Sequence, residues 1–172
     1  MSDKTGTYEH FIKPAKPQLQ YPRELNHVLV DSLDKLTQIF SENEGKYIAW
    51  DTETSSLDPT VGTIVGFSFA YDDKTGYYVP LRHKPGGNIE DPEKALDLFY
   101  NHLLKAKVSF LYNARFDLRF MEYQGYDMGC LKFYDVYIGA WLADTNNKNM
   151  SLKANEKHFL GWDPDTFTAK LS

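Results

Sequence analysis

The sequence has one cysteine, Cys130, so an internal disulfide and a cysteine-based zinc centre are both excluded, and a reducing compartment fits. Cys130 is expected to be a small, partly buried side chain, not a nucleophile. No apolar run approaches bilayer-crossing length, and Met1-Ser2-Asp3-Lys4-Thr5-Gly6 has neither a basic n-region nor an apolar h-region. The expectation is a soluble, cytoplasmic chain with no membrane partner. Without a secretory route, the sequon Asn149-Met150-Ser151 carries no meaning. Positive charge is also scarce: 19 Lys and Arg against 24 Asp and Glu leave a net charge of -5. That counts against a free-standing basic DNA-binding module. The objection weakens if the acids gather around divalent cations, which then present positive charge to a phosphate.

What is present suffices for one core. The 172 residues are 42% hydrophobic and 15% aromatic, which predicts one compact domain. Residues 1–25 hold Pro14, Pro17 and Pro22 without periodicity and are expected to form an extended arm or linker, leaving 26–172 as the folded unit. His27-Val28-Leu29-Val30 is β-like, and Ser32 can cap a helix that buries Leu33, Leu36, Ile39 and Phe40. Tyr47 to Asp51 is expected to be a buried strand ending on an acid. Thr63 to Tyr71 and Tyr77 to Leu81 predict a hairpin, with Pro80 at an edge or strand end. A helix capped by Asp91 follows, with Pro92 in its first turn. Val108 to Tyr112 is the next strand and runs into Asn113-Ala114-Arg115-Phe116-Asp117 and a helix with Leu118, Phe120 and Met121 inward. Leu131 to Asp135 leads to a helix through Ile138, Ala140, Trp141 and Leu142, and Ser151-Leu152 starts another that ends near Leu160-Gly161. A hairpin followed by alternating helix and strand predicts an α/β fold, a mixed sheet with helices on its faces.

Asp51-Thr52-Glu53 places two carboxylates two positions apart at a strand end, where alternation turns both to one face. They can share a cation. Asp117, just after another core strand, closes on the same cleft if the two strands are neighbours. Hard divalent cations take oxygen ligands, and paired ions serve phosphodiester hydrolysis. By residue type alone, Leu57 and Phe116 suit a core as well as a groove, and Arg115 and Arg119 suit a solvated helix face as well as a phosphate contact.

The constellation resembles the DEDD exonuclease superfamily, most closely the 3′–5′ proofreading domain of family A DNA polymerases of the DNA polymerase I type, phage or bacterial. Asp51-Thr52-Glu53-Thr54-Ser55-Ser56-Leu57-Asp58 is similar to the first exonuclease motif, and Asn113-Ala114-Arg115-Phe116-Asp117 to the second. Val65-Gly66-Phe67-Ser68-Phe69-Ala70, Tyr78-Val79-Pro80-Leu81, Tyr134-Asp135-Val136 and Met150-Ser151-Leu152-Lys153 extend the likeness over about residues 27 to 165. The resemblance implies an RNase H-like fold and two divalent cations, Mg²⁺ or Mn²⁺. Asp51 would bridge them, Glu53 would ligate the ion that activates water, and Asp117 would hold the second. It makes Thr52, Leu57, Asn113 and Phe116 substrate-binding residues, with Leu57 a wedge against the terminal base. The partners it implies are the 3′ end of single-stranded DNA and the polymerase portion of the same or a split protein. The host cytoplasm would be the setting of a phage protein. Asp135 is expected to be an N-cap at a strand-to-helix junction.

The family's third motif, Y-x-x-x-D or H-x-x-x-x-D, has no candidate before Ser172. Tyr123-Gln124-Gly125-Tyr126-Asp127 has the right letters but sits too soon after Asp117, and His158 is expected on a helix face. The expectation is therefore a domain lacking its last helix, needing a C-terminal segment or partner chain for full activity. The alternatives are a non-catalytic module that binds single-stranded nucleic acid or docks on a polymerase, and a ribonuclease of the same superfamily.

Overall fold

The computed structural model describes residues 25–84 and 86–161; the arm expected over residues 1–25 lies, apart from Leu25, outside them, as do residues 162–172. The chain divides into two units, whose described parts are residues 25–145 and 146–161.

In the larger unit, six strands form one sheet: β1 (Asn26–Leu29), β2 (Tyr47–Thr54), β3 (Ile64–Ala70), β4 (Thr75–Pro80), β5 (Val108–Leu111) and β6 (Phe133–Asp135). Their spatial order is β1-β4-β3-β2-β5-β6. The expected hairpin is present, since β3 pairs antiparallel with both β2 and β4. The pairs β1 with β4, β2 with β5 and β5 with β6 are parallel, so the sheet is mixed. Pro80 closes β4, and β1 covers that flank, which makes Pro80 a strand end and not an edge.

The helices start where capping chemistry permits. Ser32 accepts from Lys35 N to open α1 (Leu33–Glu42), and Asp91 accepts from Lys94 N to open α2 (Pro92–Lys105). These two helices contact each other and send aromatic rings into the sheet. Phe99 of α2 stacks on Phe67 with centroids 4.1 Å apart and meets Trp50 edge-on at 5.4 Å. Phe40 of α1 lies 5.3 Å from Phe69. Ile48 and Trp50 alternate into this core, while Tyr47, Ala49, Asp51 and Glu53 face outward. Helix α3 (Ala114–Tyr123) buries Phe120 and Met121 with Leu118 half-buried, and α4 (Val136–Ala143) follows β6. Cys130 is exposed, contrary to the expected partial burial: it ends a 3-10 turn over Met128–Cys130 in which Met128 takes the inward position. In the smaller unit α5 (Leu152–Asn155), capped by Ser151, continues into a π-helical turn over Glu156–Leu160 that stops at Gly161 with φ 70°. His158 lies within that turn.

One buried base marks the core. His102 of α2 is 5% exposed, stacks on Phe40 at 4.3 Å and shares a 2.8 Å hydrogen bond with the Tyr71 hydroxyl. Burial pushes its pKa down to about 4, against partial opposition from Glu44. The unfolded chain therefore binds a proton that the folded one refuses between the ordinary histidine value near 6.5 and about 4. Stability is expected to be full above that window and to fall by about 3 kcal/mol as pH drops through it. Urea denaturation from pH 7 to 4 checks this against His102→Gln, which should show a shallower decline over the same range.

Candidate active site

The site grows from the end of β2. Asp51 and Glu53 are exposed on one face of the strand, and Thr52, between them, is 5% exposed on the other. Just beyond, the register with β3 slips: Glu53 pairs with Gly66 and Thr54 with Ile64, leaving Val65 as a bulge residue. The chain then turns through residues 55–63, closed by Ser55 N to Thr63 O at 2.9 Å and by Thr63 N to Ser55 Oγ at 3.0 Å. Inside this turn, Asp58 accepts from both Thr60 N and Thr60 Oγ1, which hold its carboxyl below the usual range, with a smaller push from Arg119.

Asp117 arrives from the other side. The helix begins at Ala114, so Asp117 lies in the first turn of α3 and is 1% exposed. β5 pairs with β2 only over Tyr47 to Ala49. Past that point, the Thr52 N–H on β2 donates to Asp117 Oδ1 at 2.8 Å, and the Thr52 hydroxyl donates to the same oxygen at 2.7 Å. Burial raises the Asp117 pKa, the two Thr52 bonds pull it down, and Asp135 adds a small upward push. Thr52, expected to touch substrate, points its side chain inward and anchors a carboxylate.

Asp135 is the N-cap expected of it and more. It accepts from Tyr137 N at 2.9 Å to start α4, and from Asn113 N at 3.1 Å and Ala114 N at 3.0 Å at the start of α3. Asn113 stands in the left-handed region, φ 64° and ψ 55°, with no cap bond from its own side chain. One carboxylate thus caps two helices. That second role could not be read from a single sequence, because it depends on β6 lying beside β5.

Asp51 feels both of the other acids. Asp51 is open at the surface but flanked by protein, and burial, then Asp117, then Glu53 push its pKa up to about 6. The two ion pairs formed among the described residues, Arg82 with Glu93 and Lys105 with Glu44, use none of these acids. Also among the described residues, no three His, Cys, Asp or Glu side chains converge as the shell of a single ion. The fit to a metal lies in the donors: oxygen atoms only, two open carboxylates, and a third with one oxygen already committed.

Beside the acids lies a pocket of about 250 Å³ between the 55–63 turn and α3, lined by Leu57, Pro59, Asn113 and Phe116. Arg115 and Arg119, one turn apart, and Phe120 complete it. Leu57 is 86% exposed, which removes the core alternative for it. Phe116 is half-buried against Phe120 at 5.0 Å. The structure thus gathers Leu57, Asn113 and Phe116 around one pocket together with both arginines. Tyr126 and Asp127 belong elsewhere: Tyr126 donates to Asp97, and Asp127 caps the 3-10 turn.

Comparisons with known proteins agree on the family. The 3′–5′ exonuclease family profile matches residues 27–169. DNA polymerase I of Borreliella burgdorferi is 32% identical over 117 residues, 67% of this chain and 12% of that polymerase. The chain thus spans about an eighth of the relative's length. Two solved structures share the fold: NrnC of Brucella melitensis with bound Mg²⁺, and RNase D of Escherichia coli, an exoribonuclease. NrnC has a TM-score of 0.54 and 18% identity, covering 81% of this chain and 62% of that one. RNase D has a TM-score of 0.58 and 15% identity, covering 80% and 34%.

Removing the Thr52 hydroxyl takes away one of the two Thr52 donors on the buried Asp117 Oδ1. Thr52→Val is expected to cost about 1.5–3 kcal/mol in urea denaturation at pH 7, with Thr52→Ser recovering most of it. Equal loss in both variants would show that the methyl group, and not the hydroxyl, carries the effect.

Proposed function

The chain belongs to the 3′–5′ exonuclease domains of family A DNA polymerases, and on that premise we propose that it hydrolyses the 3′-terminal phosphodiester of single-stranded DNA. The observation that carries this reading is the strand-end pair Asp51 and Glu53, open to solvent, set against Asp117 and in no ion pair among the described residues. Divalent cations, two by this reading, would be held by Asp51, Glu53 and the free oxygen of Asp117. Mg²⁺ or Mn²⁺ there would supply positive charge for the scissile phosphate and acidify water at neutral pH.

The remaining work falls to side chains. Asp51, central among the acids, has the most to gain from an added cation, since both neighbours raise its pKa. Thr52 holds Asp117 in one rotamer, so its second oxygen is presented without a conformational search. Leu57 offers an apolar edge on a rigid turn against which a terminal base is wedged, and Phe116 offers a ring face below it. Such contacts are blind to base identity, which suits removal of any mispaired end. Arg115 and Arg119 line the same pocket and are placed to meet backbone phosphates, restoring local positive charge to an acidic chain. In this reading the polymerase portion of a longer protein supplies the strand.

Release of mononucleotides from end-labelled single-stranded DNA tests the proposal. Product is expected only with Mg²⁺ or Mn²⁺, and Asp51→Ala is expected to abolish it. Binding without cleavage would favour a non-catalytic module, and faster release from RNA would favour a ribonuclease. A separate measurement isolates the arginines. Replacing both with alanine is expected to flatten the salt dependence of single-strand affinity by roughly 1.4 in log–log slope, about 0.7 for each phosphate no longer neutralised.

A further inference from the structure

β4 brings a tyrosine to the face that carries the acids. Across the sheet, Asp51 pairs with Ser68 and Ser68 with Tyr78, while Glu53 pairs with Gly66. The Tyr78 ring leans over Gly66. A Cβ at position 66 would overlap its hydroxyl and come within 2.8 Å of Cζ. Side chains of directly paired residues begin about 5 Å apart. The Tyr78 hydroxyl therefore occupies the place beside Glu53 that a side chain at 66 would fill. The carboxylate is felt there: burial, then Glu53, raises the Tyr78 pKa.

The hydroxyl is held from its far side as well. It shares a short hydrogen bond with His83 Nε2. His83 is fixed by Asn88, whose Oδ1 accepts from His83 N at 2.6 Å and whose Nδ2 donates to His83 O at 2.8 Å. The bulge secures the approach: Val65 O accepts from both Leu81 N and Arg82 N at 2.9 Å, and Arg82 Nη1 donates to Ile64 O at 2.7 Å. Tyr78 thus has a missing Cβ beneath it, a tethered imidazole behind it and an exposed carboxylate beside it.

We propose that Tyr78 is a positioning residue for Glu53, its hydroxyl, seated over Gly66 and tied to His83, orienting that carboxylate toward a divalent cation. The proposal rests on the cation-site reading above. An outer partner of a metal ligand acts by restricting the ligand's rotamers, and its loss commonly weakens the ion by about tenfold or more.

Mn²⁺ titration calorimetry on the full chain, well below its melting temperature, tests this with Tyr78→Phe, Glu53→Ala and the double variant. Tyr78→Phe is expected to weaken Mn²⁺ by roughly tenfold, and the double variant to bind no more weakly than Glu53→Ala, because the tyrosine acts through the carboxylate. Gly66→Ala, which displaces the ring while keeping every hydrogen-bonding group, is expected to reproduce the Tyr78→Phe loss. Wild-type affinity in Tyr78→Phe, with or without a lower melting temperature, would overturn the proposal, as would losses that add in the double variant. Unchanged Mn²⁺ binding in Glu53→Ala would instead bring down the cation-site reading, and the tyrosine's role with it.

Discussion

Two hydrogen bonds onto one oxygen hold the site in shape: Thr52, through its backbone N–H and its hydroxyl, binds Asp117 Oδ1 at 2.8 and 2.7 Å. A buried carboxylate is costly unless it is bonded, and the Thr52 donors lie past the last residue of β2 that pairs with β5. Helix α3 can therefore dock in one way, with its first turn against the end of β2. That docking brings Asn113, Arg115, Phe116 and Arg119 to one wall of a pocket and Leu57 to the other. Asp135 braces the same helix from β6 by accepting from Asn113 N and Ala114 N. A rigid sheet and two brackets set the positions of groups that would otherwise sit on independent loops.

Electrostatics gives the arrangement its direction. The chain is acidic overall, and at the strand end Asp117 and Glu53 lie close enough to Asp51 to raise its pKa, with no cationic side chain in an ion pair with these acids among the described residues. That is unfavourable for folding and favourable for binding cations: the repulsion a cation relieves adds to its affinity. The aromatic core carries the cost. Phe67, Phe99 and Trp50 interlock directly behind the face on which the acids stand, and dense aromatic burial tolerates a locally unfavourable surface.

Much of this was legible from residues in order. The hairpin, the capped helices and the one-faced pair Asp51 and Glu53 follow from local rules, because alternation, capping and turn chemistry act over a few residues. Local rules failed where the answer depended on a neighbour distant in sequence. The start of α3 was not fixed by local sequence, because its first N–H groups are capped by Asp135 from another strand. Cys130 came out exposed because the 3-10 turn gives the inward place to Met128. Leu57 could not be assigned to core or surface until the hydrogen bonds of the 55–63 turn showed it outward.

By itself, then, the sequence determined the chemistry on offer: oxygen ligands, no thiolate site, and a family motif in two parts. Only tertiary structure decided which groups serve which. It made Thr52 an anchor for Asp117, and drew Arg115 and Arg119 from an ordinary helix face into a pocket wall. It also laid Tyr78 over Gly66 beside Glu53. The reason is common to all three. A side chain's neighbours across a sheet are set by strand order and register, and these exist only once the six strands have paired.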